Sequence, residues 1–367
     1  MNTKFACLFS TSILLLTFLV VSESSLAQVR QPIASPYAKV MEEVGLTDIT
    51  IRYARPAVNG REIWGGLVPN GFASALPNFG NGKDFPWRVG ANTNTTISFE
   101  HDVLIDGQKL PAGTYGLHMI PSEAEWVIVF SNDADHWGSF FYEESNDALR
   151  VTVTPEKVPF KERLTYEFMD QDGQGALTIA LLWGEKKVPF RVAVDDYHNV
   201  VLAEMSDELF ARGGFSQPNY VALANYALVN NADPAEGMTW AERAITSNPN
   251  FVAQRLKAGF MMQAGQVAEA DEFMAEFIEA STENELNGYG YQLMGTGRME
   301  KALEVFHLNI ERHPDAWNPH DSLGDCYNRM GDSSNARKYY QMALDKLPEN
   351  GQANRDRIDL ILDTISS

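Results

Sequence analysis

A chain of 367 residues with a formal charge of −20 at pH 7 is long enough for about two folded domains and too acidic to be drawn to phosphate backbones, so no nucleic-acid partner is expected. Residues 28–196 hold 15 basic and 23 acidic side chains and residues 197–367 hold 13 and 25, an even spread that reads as solubility rather than as a charged tail. The two cysteines, Cys7 and Cys326, exclude a disulfide framework.

Residues 1–27 read as a secretory signal. Lys4 precedes an apolar run from Ile13 to Val21, and Ser25-Leu26-Ala27 places small residues where a signal peptidase cuts, giving cleavage before Gln28. A membrane anchor is the lesser reading, because the run is short for a span and Glu23 follows it. Cleavage removes Cys7 and leaves Cys326 alone. No later run approaches a span, so the mature chain is expected to be periplasmic or secreted, with no membrane span.

Residues 28–196 read as a β-domain. Ile49, Ile51 and Tyr53 alternate with Thr50 and Arg52, the period of a half-buried strand. Similar runs follow at 95–99, 113–120, 126–130, 148–153, 164–169, 175–182 and 190–194. Turn pairs separate them, Asp106-Gly107 being the clearest hairpin signal. No helical crossovers intervene, so the expectation is an antiparallel sandwich or barrel within an α+β chain. Residues 65–90 break the rhythm with a long loop rich in Gly, Pro, Asn and aromatics.

After Asp196 the period changes. Val200, Leu202, Met205, Leu209 and Phe210 form a linker helix within 197–216, ended by Gly213-Gly214. Residues 217–367 then read as a tetratricopeptide-repeat array. Leu323, Gly324, Tyr327, Gly331, Ala336, Tyr340 and Pro348 mark one 34-residue unit; Gly290, Leu293, Gly297, Ala302, Phe306 and Pro314 mark another one register earlier. Weaker units occupy 250–281 and 218–248. Ile358, Ile361, Leu362 and Ile365 make the stripe of a capping helix, giving four helical pairs and a cap. Such an array curves and binds on its inner face. The candidate partner-binding residues there are Asn225, Asn287, Tyr291, Asn318, Asp321 and Asn328, with a solvent-facing role as the alternative for several of them.

Catalytic signatures are absent: no nucleophile elbow, no zinc-binding His pair on a helix, no phosphate loop. His101, His118 and His136 lack ligand spacing, and the half calcium loop at Asn132 to Asp135 lacks its Gly and Glu. No metal, cofactor or catalytic residue is assigned. Carboxylate pairs such as Glu123 with Glu125 leave a hydrolytic role open in principle. Trp126 and Trp183 lie in strand patterns. Trp64 and Trp87 bracket the long loop beside Arg61 and Arg88, where they would either stack on a sugar ring or, the preferred reading, belong to a loop that folds back and plugs the end of the sandwich.

VGLTDITIRYARPAVNGREIWGGLVP, WRVGANTNTTISFEHDVLIDGQKLPAGTYGLHMIP and EWVIVFSNDADHWGSFFYEESNDALRV together resemble an exported bacterial family known as domain of unknown function 2911, over about Pro36 to Val194. Relative to that family pattern, the chain inserts Asn70 to Pro86. The resemblance implies an exported β-domain, in some members followed by tetratricopeptide repeats, and transfers no activity. Its motif positions include Arg55, Arg61, Arg88 and Asn92; with Trp64 and Trp87 these form the candidate β-domain ligand site. The leading expectation is an envelope interaction protein whose repeats bind a peptide or protein. The alternative is a carbohydrate- or cell-wall-binding, or hydrolytic, β-domain with the repeats as accessory scaffold.

Overall fold

The computed structural model describes residues 31–365. The signal segment, its cleavage point and Cys7 lie outside them. Two antiparallel sheets build the first half. Six strands lie in the order β1 (Tyr37–Val44), β2 (Thr47–Ala54), β3 (Thr95–Phe99), β6 (Gly113–Ile120), β7 (Trp126–Ser131), β8 (Asp147–Val153). Four lie in the order β5 (Gln108–Leu110), β4 (Val103–Ile105), β10 (Ala176–Val194), β9 (Glu156–Met169). Asp106, at φ 46°, and Gly107, at φ 82°, make the β4–β5 hairpin turn that the Asp-Gly pair predicts.

Alternation decides which faces meet. Ile49, Ile51 and Tyr53 on β2, Ile97 and Phe99 on β3, and Leu164, Tyr166, Ile179 and Leu181 on β9 and β10 are buried in one core between the sheets. β1, β4 and β5 fall in no run that the sequence reading marked, and two further strands have other bounds than it gave. The runs expected at 175–182 and 190–194 are one 19-residue strand, β10. Gly184-Glu185-Lys186-Lys187 resembles a turn, yet it is a bulge: the β9 register shifts on either side of Gly184, whose φ is 58°. β9 likewise starts at Glu156 rather than Leu164, because its first half is an exposed, mostly polar stretch whose period carries no hydrophobic signal.

The second half is helical. α1 (Tyr197–Glu208) is followed by a π-helical turn, Leu209–Gly213. Four pairs succeed it: α2 (Gln217–Asn230) with α3 (Pro234–Ser247), α4 (Phe251–Gln263) with α5 (Val267–Ile278), α6 (Glu283–Gly295) with α7 (Met299–Arg312), and α8 (Trp317–Arg329) with α9 (Ser333–Lys346); α10 (Gln352–Ile365) closes the array. Within the last three pairs the same left-handed glycine turns the chain, Gly265, Gly297 and Gly331 at φ 80°, 79° and 80°. Side-chain caps start several helices: Asp233 accepts from Ala235 and Glu236, Asn250 from Ala253, and Thr282 with Glu285 forms a reciprocal capping box. The glycines inside the first helices let a ring approach. A Cβ on Gly290 would stand 2.3 Å from Phe306, and one on Gly324 2.8 Å from Tyr340.

α1 joins the halves. Tyr197 and Val200 pack on the β core, with Tyr197 seated against Gly45 and Gly175, where any Cβ would collide with its ring. Leu202 and Leu209 face the other way, into the core shared by α2, α3 and α4. His101 accordingly spans from Thr47 Oγ1 to Glu204 of α1, at 3.1 Å on each side. Among the described residues no helix is long and apolar enough to cross a membrane.

Candidate functional site

The polar candidates of the β-domain hold its own backbone. Arg55 leaves the end of β2, and its Nε donates to Leu164 O at 3.1 Å while Nη2 donates to Thr165 Oγ1 at 2.9 Å, tying the first sheet to β9. Arg61 closes the turn before it, donating to Val58 O and Ala57 O. Arg88 donates to Asn92 O at 2.7 Å and lies over the Phe140 ring, 4.7 Å from its centroid. Gly138 makes room for that guanidinium, since a Cβ there would meet it at 2.5 Å. Asn92, left-handed at φ 64°, donates to Ser35 O.

The tryptophans converge instead. Trp64 lies edge-on to Trp126 at 5.0 Å and to Trp183 at 5.8 Å, while Trp87 stacks on Trp183 at 5.9 Å. Trp126 and Trp183 are 1% exposed, and Trp64 and Trp87 pack against the same core. Trp87 also exchanges both backbone hydrogen bonds with Met119, at 2.9 Å, in the place β3 has left beside β6. The six candidates therefore fall into an aromatic cluster at one end of the core and separate guanidinium clamps. The inserted segment docks on the loop after β7: Phe79 and Phe85 each meet Phe140 at 4.9 Å, Asn81 donates to Tyr142 O, and Lys83 pairs with Glu143.

His118 lies beneath that loop. It is fully buried, bonded to Ser139 Oγ at 3.0 Å, and held neutral: burial, then the charges of Arg88 and His136, push its pKa down to about 3.

In the array, α2, α4, α6 and α8 touch one another in succession and form one layer. Arg255 of α4 donates to Gln292 Oε1 of α6 at 3.0 Å. Tyr291 of α6 donates to Asp325 Oδ2 of α8 at 2.6 Å, and Tyr340 donates to the other oxygen at 2.6 Å. Arg357 of α10 then pairs with Asp321 and reaches Asp325 at 3.7 Å. Consecutive first helices are thus stitched through their polar faces. Asn318 donates weakly to Glu283, at 3.4 Å, and Asn225 and Asn328 are exposed.

Asn287 and Asp321 stand 34 residues apart, at equivalent places on α6 and α8. Each keeps a buried oxygen, Asn287 Oδ1 and Asp321 Oδ1, with no hydrogen-bond partner. Burial, then the neighbouring Asp325 charge, raises the Asp321 carboxyl to about 6, against the pull of Arg357. Asp325 and Arg357 escape sequence reasoning because their importance lies in pairing across units. The available signal is that Asp325 falls one 34-residue step after Tyr291.

Residues 35–192 match the profile of a family described as protein of unknown function (DUF2911), and residues 322–350 match a tetratricopeptide repeat. The match to that family profile thus precedes the match to the repeat along the chain. A search of curated proteins finds no match. Among solved structures, MamA MSR-1 is 18% identical over 41% of this chain and 87% of its own, with a TM-score of 0.26. PcrH from Pseudomonas aeruginosa is 15% identical over 33% and 95%, at 0.27. YrrB, described as a TPR protein with an unusual peptide-binding site, is 17% identical over 44% and 84%, at 0.27.

Proposed function

We propose that the protein is an exported interaction scaffold whose repeat array holds a peptide or protein partner along the layer of first helices, with the β-domain fixed to one end through α1. The observation that carries this reading is the continuous layer of first helices, α2, α4, α6 and α8, on which Asn225 and Asn328 are exposed. Exposed amide side chains on such a layer can hydrogen-bond the backbone of an extended chain.

The test uses the full chain. A displayed peptide library is selected on it, and the affinity of the recovered peptides is measured by calorimetry. Asn225→Ala and Asn328→Ala are each expected to weaken binding about tenfold, the magnitude of one lost hydrogen bond of about 1.4 kcal/mol. Recovered peptides indifferent to both substitutions would overturn the reading. Export rests on the pattern of residues 1–27 and is tested by the N-terminus of the protein isolated from its native cell envelope. A terminus at Gln28 supports it, and an intact residue 1 contradicts it.

A further inference from the structure

The outward face of the six-stranded sheet carries a groove built by strand register. Lys39 on β1 lies opposite Arg52 on β2, Arg52 opposite Thr96 on β3, and Thr96 opposite Gly116 on β6. Their neighbours Ile51, Tyr53, Ile97 and Leu117 are buried, so this row faces away from the core. Gly116 shapes the end of the groove. A Cβ there would come within 2.7 Å of Asp133 O, so its absence lets the 132–136 turn lie on the sheet. Asn94 fastens that turn, with Nδ2 donating to Asp133 O at 3.0 Å and its backbone N–H donating to His136 O.

The result is an open groove of about 650 Å³, floored by Lys39, Arg52 and Thr96, ended by Asn94, Asp135 and His136, and flanked by Tyr37, which is 52% exposed. Small-ligand sites commonly measure roughly 300–1,000 Å³. The charges in it are unusual. Every other described cation between residues 31 and 196 has a carboxylate, a backbone carbonyl or an aromatic face as partner. Lys39 and Arg52 have none among the described residues, although they are like charges on directly opposed positions, which disfavours the pairing of their strands. An anion lodged between them would reverse that repulsion. At the far end, the Asn94 side chain is 7% exposed and its Oδ1 lacks a donor, beside the Asp135 carboxylate.

A bare anion would use the two cations and be repelled by Asp135. A ligand with a carboxylate at one end and hydroxyl donors at the other uses the whole groove, with Tyr37 available to lie along a ring. We propose that this groove binds an acidic saccharide, its carboxylate between Lys39 and Arg52 and its ring hydroxyls directed to Thr96, Asp135 and the Asn94 amide. The proposal is independent of the peptide role of the array.

Calorimetric titration of the full chain with trigalacturonate, maltotriose and inorganic phosphate tests it. Saturable binding of trigalacturonate is expected, at least tenfold tighter than either comparison ligand and weakened at least tenfold by Arg52→Gln or Lys39→Gln. Lys157→Gln, an exposed cation elsewhere, should change nothing. Both groove residues are exposed and repel one another, so thermal unfolding of the variants at or above the wild-type temperature confirms that a loss is a loss of contact. Phosphate binding as tight as trigalacturonate would replace the saccharide with a bare anion and overturn the proposal. So would absent trigalacturonate binding, or binding unaffected by Arg52→Gln.

Discussion

Arg55, Arg61, Arg88 and Asn92 close hydrogen bonds onto the β-domain's own backbone, whereas Asn287 and Asp321 in the array each keep a buried oxygen without a hydrogen-bond partner. The difference follows from what each architecture leaves unsatisfied. Irregular segments between strands have carbonyls and amides that no ladder pairs, so nearby polar side chains are drawn in to satisfy them. A helix pairs its own backbone, and the side chains of its outward face are left for neighbours or partners. A polar residue in a glycine-rich loop is therefore weaker evidence of a ligand than one repeated at register along stacked helices.

Titration should separate the two regions most strongly, with opposite signs. His118 is held neutral at a pKa near 3 against 6.5 when unfolded, so its stabilisation is complete above pH 6.5 and is lost as pH falls toward 3. The β-domain is expected to lose up to roughly 5 kcal/mol over that window. Hydrogen exchange resolved by segment should show β6 and β7 opening first in acid, and His118→Gln should abolish this pH dependence. A β-domain equally protected at pH 4 and 7 would contradict the assignment.

Trp183→Ala comes next. Removing a ring that touches both Trp64 and Trp87 is expected to cost about 3–5 kcal/mol in the β-domain, read as a lowered denaturation midpoint in tryptophan fluorescence, with exchange in α6 to α9 unmoved. The reverse sign belongs to Asp321. Its carboxyl is raised to about 6 from 3.8, so its contribution favours the folded array most below pH 3.8 and declines by about 3 kcal/mol as pH rises through 6. The stability difference between wild type and Asp321→Asn, followed from pH 4 to 7, should show the wild type losing ground. Smallest is Gly324→Ala, whose added Cβ presses on Tyr340 and should cost about 1–3 kcal/mol, confined to exchange in α8 and α9. An equal loss in the β-domain would mean the two halves unfold as one unit.

The helical half was legible because its signal is local and repeated: Gly290 and Gly324 sit where a ring must approach, and Gly297 and Gly331 where the chain must turn. β2, β3, β6 and β7 were legible from alternation. β10 was not, since Gly184-Glu185-Lys186-Lys187 has the composition of a turn and becomes a bulge only when β9 is beside it. The same limit hid Lys39 and Arg52. They are 13 residues apart in sequence and become neighbours only through the β1–β2 register. Asn287 and Asp321 were readable as polar positions on first helices, while the stitching of Asp325 by Tyr291, Tyr340 and Arg357 required the stacking itself.

The layer of first helices is the proposed binding surface. Hydrogen exchange of the full chain, with and without a saturating library-selected peptide, tests it most directly. The prediction is slowed exchange in α6 and α8, with little change in the β strands. Protection concentrated in α7 and α9, or in the β-domain alone, would contradict it.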